Sequence, residues 1–257
     1  MRYSVGVDIG GTFTDVVLLG EDGSVRTHKV SSTPHDYSQA VVGGVREIAD
    51  AATISLQAID EVIHATTVAT NTILEQRGAR TALLTTAGFR DVLEMRRLRI
   101  PVLYDLQYDK PPPLVPRRHR FEVAERMGPR GEIWRALDRD AVARIADEIA
   151  AAEIEAVAVV FLHSYANAAH EREAVAILRQ RLGRDVYVTC SADILPEIRE
   201  YERTSTAVVN AYVGPVVERY LRSLASQLHD ASIDAPIRIM QSGGGVLTAP
   251  PDCMMRI

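Results

Sequence analysis

Apolar and polar residues alternate at the start of the chain. Tyr3, Val5, Val7 and Ile9 interleave with Ser4, Gly6 and Asp8, the period-2 pattern of a strand with two unlike faces. Gly10-Gly11 permits a tight turn at positive φ, and Val16-Val17-Leu18-Leu19 reads as a returning strand buried on both faces. A turn at Glu21-Asp22-Gly23 leads to a third strand, Val25 to Val30. The period then lengthens. Ser38 to Ala51 suits a helix despite Gly43-Gly44, Glu61 to Ala65 a strand, Val68 to Gln76 a helix ended by Gly78, and Thr81 to Thr85 a strand. Residues 100–136 break this rhythm with four prolines between Pro111 and Pro116. Leu103, Tyr104, Phe121, Val123 and Trp134 anchor them as a long extended excursion with a hairpin.

Beyond it the alternation of helix and strand returns. Asp138 or Asp140 caps a helix that carries Val142, Ile145 and Ile149 on one stripe. Glu155 to Leu162 reads as a buried central strand, His170 to Leu182 as a helix closed by Gly183, and Val186 to Thr189 as a strand. Pro196 is placed to open a long helix, which Gly214-Pro215 must break or kink before it resumes through Tyr220, Leu224 and Leu228. A last strand, Ile237 to Met240, runs into Ser242-Gly243-Gly244-Gly245. The fold class is α/β.

Composition narrows the function classes. The 257 residues are 47% hydrophobic and 25% charged, ordinary globular usage. No window reaches 18 consecutive apolar residues, so no membrane span is expected. Met1 to Gly11 lacks the charged and apolar regions of a secretory signal, and the expected location is cytoplasmic. With 29 Lys and Arg against 34 Asp and Glu, the net charge is −5, the wrong sign for a general nucleic-acid binder. The two cysteines, Cys190 and Cys253, form neither a CxxC nor a zinc set.

The chemical signal is Asp8-Ile9-Gly10-Gly11-Thr12-Phe13-Thr14-Asp15. A glycine turn between antiparallel strands gathers backbone N–H groups into a nest for phosphate oxygens, and Thr12 and Thr14 add hydroxyls. Asp8 and Asp15 would repel a bare polyphosphate by roughly 4 kcal/mol per charge pair at 4 Å. A divalent cation between them reverses that sign, since Mg²⁺ favours one or two carboxylates plus phosphates and waters. The site therefore suits a magnesium nucleotide. The bland alternative is a hairpin whose glycines satisfy only turn geometry. The pattern is neither the P-loop nor the GxGxxG fingerprint.

The turn resembles the first phosphate loop of the sugar kinase, Hsp70 and actin superfamily. Longer strings resemble one branch, the hydantoinase A / 5-oxoprolinase family. They are His64 to Glu75, Gly78 to Glu94, Pro101 to Asp105, Pro113 to Arg118 with Phe121-Glu122-Val123, Glu125-Arg126, Ile198 to Ser205 and Val209 to Tyr212. The resemblance implies a ribonuclease H-like N-terminal lobe of the actin/Hsp70/sugar-kinase type, with a long extended insertion and a truncated second lobe. It divides the chain into an N-terminal domain, 1–184, and the start of the ATPase core, 185–257. It implies ATP and Mg²⁺ as cofactors. The reaction it implies is ATP-dependent opening of cyclic amides by phosphorylation of the amide oxygen, or, as the alternative, carboxylation of ketones. Implied partners are a small cyclic amide or ketone substrate, a hydantoinase B-type subunit and a missing C-terminal lobe. A catalytically incomplete piece acting in binding or assembly is the remaining alternative.

By position, Asp8, Gly10, Gly11, Thr12, Phe13, Thr14 and Asp15 match the family's phosphate loop, with Asp8 and Asp15 as metal ligands and Asp8 also a candidate catalytic group. His64, Thr66 and Thr67 are candidate catalytic groups at a strand-to-helix junction, although Ala65 stands where the family has glycine. Their alternative is local: threonines that cap, and a hydrogen-bonded, partly buried histidine. Glu197 to Arg203 reads as a solvated, salt-bridged helix face, with Arg203 the candidate catalytic exception. Arginines 90, 96, 97, 99, 117, 118 and 120 either clamp an anionic substrate or pair with nearby acids or a partner.

Overall fold

The computed structural model describes residues 1–33, 36–97, 104–105, 107–241 and 243–248. In chain order the elements begin with β1 (Tyr3–Ile9), β2 (Phe13–Gly20), β3 (Val25–Ser31), α1 (Tyr37–Ala52), β4 (Ile59–Thr66) and α2 (Val68–Leu74). There follow β5 (Thr81–Thr86), α3 (Val92–Met95), β6 (Arg120–Val123), β7 (Arg126–Met127), β8 (Ile133–Arg135), α4 (Arg139–Ala151) and β9 (Ala156–Val160). The chain continues through α5 (Ala169–Leu182), β10 (Tyr187–Cys190), α6 (Ser191–Ile194), α7 (Glu200–Asp230), β11 (Ile237–Met240) and β12 (Val246–Thr248). Two compact units form: Met1–Arg77 with the segment that begins at Val216, and Gly78–Pro215.

The first unit is built on a sheet ordered β12-β11-β4-β1-β2-β3. The β1-β2-β3 meander is antiparallel, while β4 pairs parallel with β1 and β11 pairs parallel with β4. The alternation of β1 is realised in burial: Val5, Val7 and Ile9 face the core and Asp8 faces out. Val41, Val42, Val45 and Ile48 of α1 and Leu224 and Leu228 of α7 pack on them, each buried aliphatic contributing roughly 1.5–3 kcal/mol. Asp36 caps α1, its side chain accepting from the Ser38 amide at 3.1 Å. The doubly buried reading of β2 is corrected. Its residues alternate between exposed and buried, with Val17 and Leu19 38% and 47% exposed on the face away from α1.

The second unit holds a wholly parallel sheet ordered β10-β9-β5-β6. Strands β5 and β9 are buried along their whole length, as parallel strands covered on both faces must be. Helices α4 and α5 pack on one face through Val142, Ile145, Ile149 and Leu178. Leu93, Val115 and the first half of α7, through Ala207, Val208 and Ala211, cover the other. Asp138, not Asp140, caps α4, and Gly183 at φ 74° ends α5 as expected.

Three local expectations are corrected. Helix α2 stops at Leu74, with Gln76 taking the left-handed conformation, and Gly78 has a different duty. A Cβ at Gly78 would lie 2.2 Å from the Tyr212 ring, so the glycine admits that ring. Helix α7 begins at Glu200 rather than Pro196 and runs through Pro215 without interruption. There Gly214 accommodates Tyr187, whose ring a Cβ would meet at 2.7 Å. Phe121 and Val123 are buried or half-buried, but Tyr104 and Trp134 are exposed and anchor nothing; Leu103 and Ser242 lie outside the described residues. The expected hairpin is present as β7 and β8. No helix of the described residues is long and apolar enough to cross a membrane.

Candidate functional site

The β1–β2 hairpin puts Asp8 directly opposite Asp15 and Ile9 opposite Thr14. Facing residues of an antiparallel pair have Cβ atoms about 5 Å apart, so both carboxylates project together from the exposed face. Lys29 on β3 reaches Asp15 at 2.6 Å and lies over the Phe13 ring at 5.4 Å. No described residue bonds the Asp8 side chain, which leaves it the free carboxylate of the pair.

Between them, the turn is braced from within. The Gly10 amide donates to the Phe13 carbonyl at 3.0 Å. Ser32 donates its hydroxyl to the Gly10 carbonyl at 2.8 Å and shares a 3.0 Å hydrogen bond with Thr14. The amides of Gly11 and Thr12 make no hydrogen bond among the described residues and stand exposed beside the two carboxylates. Positive φ is not what the glycines supply, for neither adopts it. Gly10 instead allows close approach, since a Cβ there would stand 3.1 Å from the Phe13 carbonyl oxygen. The two threonines separate: Thr12 is exposed beside the turn, whereas Thr14 is fully buried and its hydroxyl is committed to Ser32.

The next segment lies beside β1. Parallel pairing sets Val7 against His64, Asp8 against Ala65 and Ile9 against Thr66. Ala65 has negative φ, so its methyl is accommodated. Thr66 accepts from the Val68 amide at 3.2 Å and starts α2. The Thr67 hydroxyl donates to the Ile9 carbonyl at 3.2 Å, tying that junction to the last residue before the glycines. His64 takes the opposite face from Asp8. It is fully buried, with Nε2 2.7 Å from the Tyr220 hydroxyl, and burial pushes its imidazole down to about 4. Burial likewise pushes the Tyr220 phenol up, so the pair is neutral.

Arg203 belongs to the second unit, the glycine turn to the first. It is 1% exposed, at the carboxyl ends of the parallel strands. Its NH1 donates to Ser164 Oγ, its guanidinium lies 5.8 Å over the Tyr165 ring, and its Nε has no acceptor among the described residues. Ser164 contacts Ser191, which donates to Glu171 at 2.6 Å. Glu171 also accepts from the amides of Phe161 at 2.7 Å and Ala192 at 2.8 Å. Burial raises its carboxyl above the usual range, and these bonds oppose the rise. Burial likewise lowers the Arg203 guanidinium. Beside this network Glu125 bonds His170 at 2.7 Å and receives the Thr86 hydroxyl. Burial pushes the Cys190 thiol up to about 12, which keeps it an unreactive thiol.

The structure thus brings together Asp8, Gly10, Gly11, Thr12, Phe13, Asp15 and, as a brace, Thr14, with Thr66 and Thr67 on the adjoining strand end. Ser32, Lys29 and Tyr220 are contributors that sequence reasoning missed. Lys29 carried a faint signal as one of only two lysines; Ser32 and Tyr220 carried none. Among the described residues no group of three or more His, Cys, Asp or Glu side chains is set to hold a metal. Two carboxylates with phosphate and water oxygens nevertheless suffice for Mg²⁺, and Asp8 and Asp15 fit that donor set.

A meander followed by parallel β4 and β11, with a glycine turn flanked by carboxylates, defines a ribonuclease H-like lobe of the actin, Hsp70 and sugar-kinase type. The chain belongs to the hydantoinase/oxoprolinase family: the model of that family's N-terminal region matches residues 4–182, and the hydantoinase/oxoprolinase model matches residues 203–251. An uncharacterized protein of Methanocaldococcus jannaschii is 42% identical over 250 residues, covering 96% of this chain and 36% of its own length. Caprolactamase subunit alpha of Pseudomonas jessenii is 38% identical over 261 residues, 99% of this chain and 37% of its own. The crystal structure of the ATP-dependent caprolactamase from that organism matches with a TM-score of 0.87 at 38% identity, over 96% of this chain and 36% of that one. The chain therefore spans little more than a third of the length of these two relatives.

Proposed function

We propose that the turn from Asp8 to Asp15 holds the phosphates of ATP in an enzyme that opens a cyclic amide. The observation that carries this reading is the facing pair Asp8 and Asp15 around the free amides of Gly11 and Thr12. The amides and the Thr12 hydroxyl donate to phosphate oxygens, and Lys29 adds a positive charge at the rim. Asp8, with Asp15 beside it, would hold Mg²⁺, which when bound neutralises charge on the transferring phosphoryl group. Transfer of the terminal phosphoryl group to the amide oxygen releases ADP and activates the carbonyl carbon. Water adds there, the ring C–N bond breaks as the nitrogen takes a proton, and a second water frees phosphate from the acyl phosphate. His64 serves as a positioning residue, since its neutral ring faces the core rather than the turn. A triphosphate needs donors from two sides, so a second lobe and a hydantoinase B-type partner subunit complete the site. The relatives' greater length and the caprolactamase's designation as a subunit support both.

The test is ATP hydrolysis by the protein purified with its partner polypeptides, with 5-oxoproline, hydantoin or caprolactam supplied in turn. A lactam should stimulate phosphate release, and Asp8→Asn should lower it by at least ~100-fold. Unchanged turnover in Asp8→Asn would overturn the assignment of the turn. Stimulation by acetone or acetophenone with bicarbonate, and by no cyclic amide, would overturn the substrate class.

A further inference from the structure

We propose that an arginine-lined cleft beside β6, the edge strand of the second unit's sheet, binds a small organic anion through its carboxylate or phosphate group. The cleft measures about 560 Å³, a volume suited to a small metabolite. Arg90, Arg117, Arg118 and Arg120 line it, and Phe121 and Ile145 supply an apolar wall. Glu122 and Glu148 complete the lining.

Three of these arginines are oriented by acids without being used up. Arg117 forks onto Asp91, Nε to Oδ1 at 3.0 Å and NH2 to Oδ2 at 3.2 Å. Arg90 Nε lies 3.4 Å from Glu122, whose other oxygen accepts from the Gly88 amide at 2.7 Å. Arg120, 3% exposed, donates Nε to the Val115 carbonyl at 3.0 Å and NH2 to Glu94 at 2.7 Å. Its NH1 is buried without an acceptor among the described residues. A guanidinium carries five N–H donors in a fixed fork, so each pair leaves donors over for a ligand oxygen. Arg118 has no ion pair among the described residues.

The rival account is that charged side chains merely protect an edge strand from pairing with another chain. It explains exposed, solvated arginines. It does not explain why four arginines, one of them 3% exposed and one without an ion pair among the described residues, converge on a single cleft with an apolar wall. The apolar wall of Phe121 and Ile145 favours an anionic group on a carbon body over a bare ion. No residue of the glycine turn takes part, so this proposal stands whether or not the turn binds ATP.

Titration calorimetry of the full chain in low-chloride buffer, with inorganic phosphate and separately with glutarate, tests the proposal. One or both probes should bind saturably with Kd of roughly millimolar or tighter, and Arg118→Glu should weaken that binding about tenfold or more. Arg120→Met should weaken it as well; should it fail to fold, the exposed Arg118→Glu decides alone. Arg139→Ala, outside the cleft, should bind like the parent. Glutarate binding alone assigns a carboxylate ligand, and phosphate binding alone a phosphate ester. Absence of saturable binding, or binding that Arg118→Glu leaves unchanged, would overturn the site.

Discussion

The Tyr220 hydroxyl lies 2.7 Å from His64 Nε2, joining α7 to β4 inside the core of the first unit. Both groups are neutral there because burial disfavours their charged forms. Strand β4 is bonded to β1, the strand that leads into the glycine turn, so the pair supports the floor of the site from behind.

The pair makes stability depend on pH. His64 titrates near 4 in the folded protein and near 6.5 when unfolded. Between these values the unfolded chain binds a proton that the folded chain refuses. Stability is therefore intact above 6.5 and falls as pH drops toward 4, by roughly 3 kcal/mol in all. Urea unfolding at pH 7, 5.5 and 4.5 should show this loss, and His64→Gln should flatten the slope over that window. A parallel slope in the variant would refute the assignment.

Neighbouring glycines in α1 should respond to alanine with opposite sign. A Cβ at Gly43 meets nothing within 4 Å, so Gly43→Ala gains the helix preference of alanine, about 0.5–1 kcal/mol. A Cβ at Gly44 would lie 2.8 Å from Val16 Cγ2 and 3.3 Å from Val30 Cγ2. Overpacking of that kind costs about 1–3 kcal/mol and exceeds the same gain. Thermal melts of the two variants should move in opposite directions.

These glycines illustrate what the sequence discloses. The alternation of β1 and the stripes of α4 follow from local period, because one buried face dictates every second or every third and fourth residue. The opposition of Asp8 and Asp15 was legible too, since a hairpin's register follows once its turn is placed. Val17 and Leu19 misled because an apolar run records composition, not whether both faces are covered. Gly78 looked like a helix stop because its partner, Tyr212, lies far along the chain. Ser32 and Tyr220 escaped for the same reason: each reaches its partner through tertiary packing, with no spacing rule to announce it.

Ser32 gives a second handle on the turn. Its hydroxyl links buried Thr14 to the Gly10 carbonyl, so Ser32→Ala removes two hydrogen bonds at once. The loss should cost about 1–3 kcal/mol, because the Thr14 hydroxyl is then left buried without its partner. Thr14→Val keeps the shape and removes the stranded group. The double variant should therefore be less destabilised than the sum of the two single ones, a coupling that a double-mutant cycle measures. Strict additivity would show that the brace is not a unit.

Arg203 separates a structural from a catalytic role. It is buried, touches Ser164 and Tyr165, and stands near Glu171, whose carboxylate accepts from Ser191, Phe161 and Ala192. Arg203→Met removes the cation while leaving that carboxylate in place. An uncompensated buried charge costs about 3–5 kcal/mol, which lowers the melting temperature on the order of 10 °C. Glu171→Gln relieves the charge but turns an amide donor toward one of the N–H groups of Phe161 and Ala192, so it should destabilise on its own. Combined with Arg203→Met, it should cost less than the two changes added separately, because no unpaired charge remains. A group that meets the reacting atoms would behave otherwise: Arg203→Met would melt like the parent and lose only turnover. Calorimetric melting of the two single variants and the double variant distinguishes these outcomes, and an unshifted melt for Arg203→Met would return Arg203 to the catalytic candidates.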